Sequence, residues 1–122
     1  MEVQQISFAK ICVLSGDLTE ITVDSGVDIN LEMVDEIHHY LLSIFSYCFS
    51  LLINKSNSYS TQPDALIQFG TLDRIDKIAI FSPNKLAKMS AEFSASIPSS
   101  TSLNIEVFTE RNEALTWLYA NV

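Results

Sequence analysis

Along the first quarter of the chain, apolar and polar residues fall in short runs, and then the period changes. Gln4 to Leu14 and Leu18 to Val23 are rich in Ile, Val, Phe and Thr, with Ser15-Gly16-Asp17 between them. Residues that suit a pleated, half-buried surface on either side of a short turn predict two strands in an antiparallel hairpin. Gly26 then breaks the chain. From Leu31 the apolar residues Leu31, Val34, Ile37, Leu41 and Ile44 recur at three- and four-residue steps. That spacing predicts a helix with one buried face. Asn30 is placed to cap it, Glu32 suits the positive end of the helix dipole, and Asp35, Glu36, His39 and Ser43 fall on the other side.

The rest of the chain alternates between the two periods. Phe49 to Ile53 reads as a fully buried strand, although no Gly or Pro separates it from the helix before it. Thr61-Gln62-Pro63-Asp64 has the form of a helix start, with Ala65, Leu66 and Phe69 as its apolar side and Gly70 at its end. Lys77 to Phe81 is a second buried-strand run. Ser82-Pro83 opens a third helix, whose stripe is Leu86, Met89 and Phe93. In Leu103 to Phe108 the pattern alternates, with Leu103, Ile105 and Val107 on one side and Asn104 and Glu106 on the other. One wet face is what a sheet edge produces. Thr109 caps a last helix in which Ala114, Leu115 and Leu118 face the core. The order β-β-α-β-α-β-α-β-α predicts an α/β fold: a mixed, mostly parallel sheet of about five strands with four helices.

Composition narrows the function. A chain of 122 residues with 48% hydrophobic content is the size of one domain, residues 1–122, and fills its own core. Seven basic against 15 acidic residues give a net charge of −8, which repels phosphate backbones and anionic headgroups. Nucleic acid is therefore not an expected partner. The amino-terminal segment lacks a basic start followed by an apolar run, so no signal peptide is expected. The longest apolar-rich stretch, Tyr40 to Ile53, is interrupted by Ser43, Ser46 and Ser50 and is too short to span a bilayer. No membrane insertion is expected, and the cytoplasm is the expected location. Cys12 and Cys48 sit in apolar runs, with no partner at metal or redox spacing, and read as small buried hydrophobes.

The most distinctive segment is Ile105-Glu106-Val107-Phe108-Thr109-Glu110-Arg111-Asn112-Glu113-Ala114-Leu115-Thr116-Trp117-Leu118. It resembles the terminal strand and helix of the SpoIIAA-like family, whose members end close to V-F-x-x-x-x-E-A-x-x-W-L. Val107, Phe108, Glu113, Ala114, Trp117 and Leu118 fill that pattern. With the element order, the resemblance covers nearly the whole chain and implies a STAS-like fold, that of anti-sigma-factor antagonists, also akin to lipid-carrying CRAL-TRIO domains. In the antagonists an Asp-Ser pair after the third strand carries a phosphorylation switch. Here Asn54-Lys55-Ser56 follows the corresponding strand, with Lys55 at the serine's position. The resemblance therefore does not carry the switch over. Ser56, Ser58 and Ser60 lie near it and, with Asn54, form a candidate modification or partner loop, although Ser and Asn are also ordinary loop formers.

Catalytic groups are scarce. His38 and His39 diverge by about 100° on a helix and cannot share one metal. His38 reads as a partly buried helix residue and His39 as part of a solvated face. No serine lies in a G-x-S-x-G turn, and Gly16, Gly26 and Gly70 form no phosphate-cradling loop. No enzymatic activity, metal or cofactor is expected. Phe108, Tyr59, Trp117 and Tyr119 either line an apolar pocket or, as is commoner, pack as core groups. Two functions emerge. One is a non-enzymatic binding or regulatory module for an unknown protein partner; the other is a carrier of a small apolar, lipid-like ligand, motivated by Leu86, Met89 and Phe93. Self-association as a homodimer, by helix or edge-strand contact, is a further expectation.

Overall fold

The structure, a computed structural model, describes residues 2–57, 59–69, 74–84 and 104–119. Eight strands and three helices are present among them: β1 (Glu2–Gln5), β2 (Ala9–Ser15), β3 (Leu18–Val23), β4 (Asp28–Ile29), α1 (Leu31–Ile44), β5 (Phe49–Asn54), β6 (Ser60–Thr61), α2 (Pro63–Phe69), β7 (Ile75–Phe81), β8 (Asn104–Phe108) and α3 (Arg111–Tyr119). Six strands form the main sheet in the order β1-β2-β3-β5-β7-β8, and β4 and β6 form a small parallel pair. The first two pairings are antiparallel, and β3, β5, β7 and β8 run parallel. The mixed, mostly parallel sheet is the one expected, and β8 lies at an edge.

The sheet holds one strand more than expected, because Gln4 to Leu14 is not continuous. The chain reverses between β1 and β2 without Gly or Pro. The Ile6 N–H donates to the Ala9 carbonyl (2.8 Å), the Gln5 side chain donates to the carbonyls of Ile6 and Ala9, and the Ser7 hydroxyl donates to Glu36 on α1. Side-chain and tertiary bonds make this turn, so local turn chemistry does not announce it. The expected third helix, with Leu86, Met89 and Phe93, lies outside the described residues, as do Leu103 and Gly70.

Two apolar cores flank the sheet. Val34, Ile37, Leu41 and Phe45 from α1 and its end, with Ala65 of α2, pack on Ile11, Ile21, Phe49, Leu51 and Ile78. Ala114 and Leu118 of α3 pack on Leu18, Leu52 and Ala79. Successive strand residues point to opposite faces. Leu51 thus feeds one core and Leu52 the other, each wholly buried, which is why β5 reads as an unbroken apolar run.

Helix α1 is capped as its sequence implies, Asn30 Oδ1 accepting the Met33 N–H at 3.0 Å. Its buried stripe is narrower than the spacing suggested: Leu31 and Ile44, at the two ends, are exposed, and His38 joins Val34, Ile37 and Leu41 inside. The helix stops because Phe45 turns extended and stacks its ring on Phe49, with centroids 4.7 Å apart. Burial of two rings ends the helix where no breaker residue does. Cys48, expected inside, is exposed in the connection that follows, whereas Cys12 is half-buried. At the other end of the chain, α3 begins one residue later than expected. Glu110, not Thr109, supplies the first carbonyl, accepting from Ala114.

Candidate functional site

The parallel strands place their carboxyl ends side by side, and in open α/β sheets the crevice beyond those ends is where ligands and partners meet. Asn54, the last residue of β5, stands there. Its Nδ2 donates to Glu20 Oε2 (2.8 Å), and its Oδ1 accepts the Ser56 N–H (2.9 Å). Glu20 is 8% exposed and lies on the α3 face of β3. Arg111, the first residue of α3, reaches across the sheet and grips the same carboxylate with two bonds, Nε to Oε2 (3.1 Å) and Nη2 to Oε1 (2.6 Å). A relay therefore runs from the amino end of α3 through Arg111, Glu20 and Asn54 to the main chain of Ser56. Burial pushes the Glu20 carboxyl up, but the hydrogen bonds from Arg111 and Asn54 and the guanidinium charge outweigh it and hold the group below its ordinary value.

The loop beyond Asn54 is pinned at several points. The Lys55 N–H donates to the Phe81 carbonyl (2.8 Å), and Asn57 Nδ2 donates to the Val23 carbonyl (3.0 Å). Further on, Ser60 and Gln62 donate their main-chain N–H groups to Val27 and Ile29, forming the β4–β6 pair. The Ser60 hydroxyl donates to Asp28 Oδ1 (2.8 Å), and Gln62 Nε2 to Asp28 Oδ2 (2.9 Å), which holds the Asp28 carboxyl below its ordinary value. Of the candidate serines, Ser56 is exposed beside the relay, Ser60 is exposed with its hydroxyl committed to Asp28, and Ser58 lies outside the described residues.

Sequence reasoning placed Asn54, Ser56 and Ser60 here and missed Glu20, Arg111, Asp28 and Gln62. One signal was available. Glu20 sits between Leu18 and Thr22 on a strand that is otherwise apolar or Thr, and an acid at such a position is kept only with a partner.

The terminal pattern residues serve packing. Phe108 and Trp117 meet as tilted rings 5.8 Å apart, Ala114 and Leu118 are buried, Val107 is half-buried in β8, and Glu113 is exposed. Lys77 Nζ lies over the Trp117 ring and donates to the Trp117 carbonyl (3.3 Å), a cation at the negative end of α3. The four aromatic residues do not assemble into a pocket. Tyr59 packs on the core under α1, Phe108 and Trp117 on the opposite face, and Tyr119 is exposed.

A second feature lies on the outer side of α1. An open groove of about 650 Å³ is lined by Ile6, Glu32, Asp35, Glu36, His39, Tyr40 and Ser43. His38 points inward and is nine-tenths buried, whereas His39 is exposed, so the two histidines separate as their helical spacing required. Among the described residues no group of three or more His, Cys, Asp or Glu is arranged to hold a metal ion. No described helix is long and apolar enough to cross a membrane.

Fold and site together define an open, mostly parallel α/β module whose last helix braces a loop at the strand ends. The sequence model of the SpoIIAA-like family matches residues 28–119, from β4 through α3, and the chain belongs to that family. Among solved structures, it is similar to an uncharacterized protein from Shewanella loihica PV-4 with a SpoIIAA-like fold. The two share 13% identity over 96% of this chain and 90% of the other, with a TM-score of 0.58. None of the curated proteins matches.

Proposed function

We propose that the protein is a non-enzymatic binding module that docks a protein partner on the loop from Asn54 to Gln62. The observation that carries this reading is the relay from Arg111 through Glu20 and Asn54 to the Ser56 main chain. It commits an ion pair between a buried carboxylate and a partly exposed guanidinium to holding a polar loop that exposes Ser56 and Ser60, at the sheet end where open α/β folds meet their ligands. A loop held in one shape binds with a smaller ordering cost than a mobile one. Membership of the SpoIIAA-like family supports the same reading. The carrier alternative rests on Leu86, Met89 and Phe93, outside the described residues, and the groove on α1, with three carboxylates and a histidine, suits an apolar guest poorly.

The test is site-specific photo-crosslinking in a native extract. A photoreactive residue replaces Ser56 in one sample and Tyr47 in another. Tyr47 is 85% exposed and lies just before the amino end of β5, at the opposite end of the sheet. A discrete crosslinked protein from position 56 alone is the expected result. Crosslinks from position 47 alone, or from neither, contradict the reading. Native mass spectrometry of the same preparation reads the alternative, because a carrier retains a lipid-sized adduct.

A further inference from the structure

Among the described residues, β1 forms one edge of the main sheet. Hydrogen-bonded and non-bonded pairs alternate along an antiparallel ladder. The Ile6 N–H donates to the Ala9 carbonyl, which makes Gln4 and Ile11 the next bonded pair and turns the main-chain groups of Val3 and Gln5 away from β2. The outward N–H groups of Val3 and Gln5 meet no acceptor among the described residues. Edge strands are usually blunted by Pro, Lys or a bulge. Glu2–Gln5 has none of these, and its Val3 is 63% exposed.

The groove of α1 opens beside this edge. Ile6, the residue after β1, lines it, and the Ser7 hydroxyl donates to Glu36 (2.9 Å). Glu32, Asp35 and Glu36 are exposed along it, and no described Lys or Arg pairs with them. The one basic residue among β1, β2 and α1 is Lys10. Its neighbour Ile11 packs under α1, so Lys10 falls on the opposite face of the sheet. The edge calls for main chain and the groove for positive charge. Their spacings also agree. Alternate residues of a strand stand about 6.8 Å apart and residues four apart on a helix about 6 Å, so basic side chains at i and i+2 of a strand match Glu32 and Glu36.

We propose that β1 and the acidic side of α1 together bind an extended basic segment of a partner protein, which adds to β1 as a further strand and sets alternate Lys or Arg side chains against Glu32, Asp35 and Glu36. Main-chain bonds to Val3 and Gln5 fix the register, and the carboxylates select basic segments. A second copy of the chain suits the edge less. Antiparallel addition keeps both α1 helices on one face of the joined sheet and sets two acid rows, on chains of net charge −8, against one another. This inference stands on the edge and the groove and does not depend on the docking role of the loop after β5.

The probe is the amino-terminally fluorescein-labelled peptide Lys-Val-Lys-Thr-Lys-Val-amide, titrated with the full chain at low salt and followed by fluorescence anisotropy. Saturable binding is expected, with slowed exchange of the Val3 and Gln5 amides in NMR spectra of the complex. Glu32→Gln with Asp35→Asn removes two exposed ion pairs and weakens binding about fivefold. Val3→Pro removes an outward donor that the ladder does not use and weakens it by about the same factor. Glu110→Gln with Glu113→Gln, the same charge change on exposed residues at α3, leaves the affinity within about twofold. Equal binding of the peptide Lys-Lys-Lys-Val-Thr-Val-amide, an equal loss from the α3 control, or unchanged exchange of amides 3 and 5 in the wild type overturns the proposal. A peptide-free chain that sediments as a dimer, with those amides already protected, gives the edge to a second copy and overturns it too.

Discussion

Replacing Arg111 with Met removes the cation and keeps the aliphatic stem. What remains is the Glu20 carboxylate, with about one-tenth of its side chain exposed, held by Asn54 alone. Removing one partner of a fully buried ion pair costs about 3–5 kcal/mol, because the other charge stays behind uncompensated. Arg111 is 39% exposed, so water already screens part of this pair, and the expected loss is smaller, about 2 kcal/mol. For a chain of this size that lowers Tm by roughly 6–10 °C. Glu20→Gln with Arg111→Met removes both charges, and the double variant is expected to lose less than the sum of the single losses. The pH dependence has a definite sign. The folded carboxyl is held below its unfolded value, so the pair's contribution is present above the ordinary Glu range and is lost as pH falls through the folded value. In the Arg111→Met chain, burial is left to raise the carboxyl, and protonation relieves the stranded charge. Thermal denaturation followed by circular dichroism should therefore show a gap between wild type and variant that is wide near neutral pH and narrow in acid. A gap that is constant with pH, or single losses that simply add, refutes the reasoning.

Substitutions at four further positions probe the frame around the site. Asn30→Ala removes the acceptor for the Met33 N–H and should cost about 1 kcal/mol in urea denaturation, with Asn30→Asp restoring most of it. Gly26 has a φ of 81° and open space around it, so Gly26→Ala should cost about 1–2 kcal/mol from backbone strain alone; an unchanged denaturation midpoint would show that the turn relaxes freely. Ser60→Glu sets a second carboxylate against Asp28 and should lower Tm, whereas Ser56→Glu, on an exposed side chain, should not. Equal Tm values for the two would remove the distinction drawn between these serines.

How much was legible in the sequence depended on whether the deciding interactions were local. The parallel strands and α1 were readable because burial on two faces or one leaves a period in the chain, as Leu51-Leu52 and the Val34, Ile37, Leu41 stripe show. The β1–β2 reversal was not, because a Gln side chain and a bond from Ser7 to Glu36, 29 residues away, make it. The end of α1 was ambiguous for a similar reason, since Phe45 and Phe49 stop it by stacking. At the site, Asn54, Ser56 and Ser60 announced themselves as a polar run. Arg111 did not, because it stands 91 residues from Glu20 in sequence and its role exists only once α3 is laid over the sheet.

Arg111 reaches through Glu20 and Asn54 to hold the loop after β5. Hydrogen–deuterium exchange of wild type and Arg111→Met, read at the amides of residues 54–57, tests that connection most directly. Faster exchange in that segment of the variant, with the amides of α1 unchanged, is the result the account expects. Unchanged exchange at 54–57 would contradict it and leave the ion pair a local fastening of α3 with no hold on the loop.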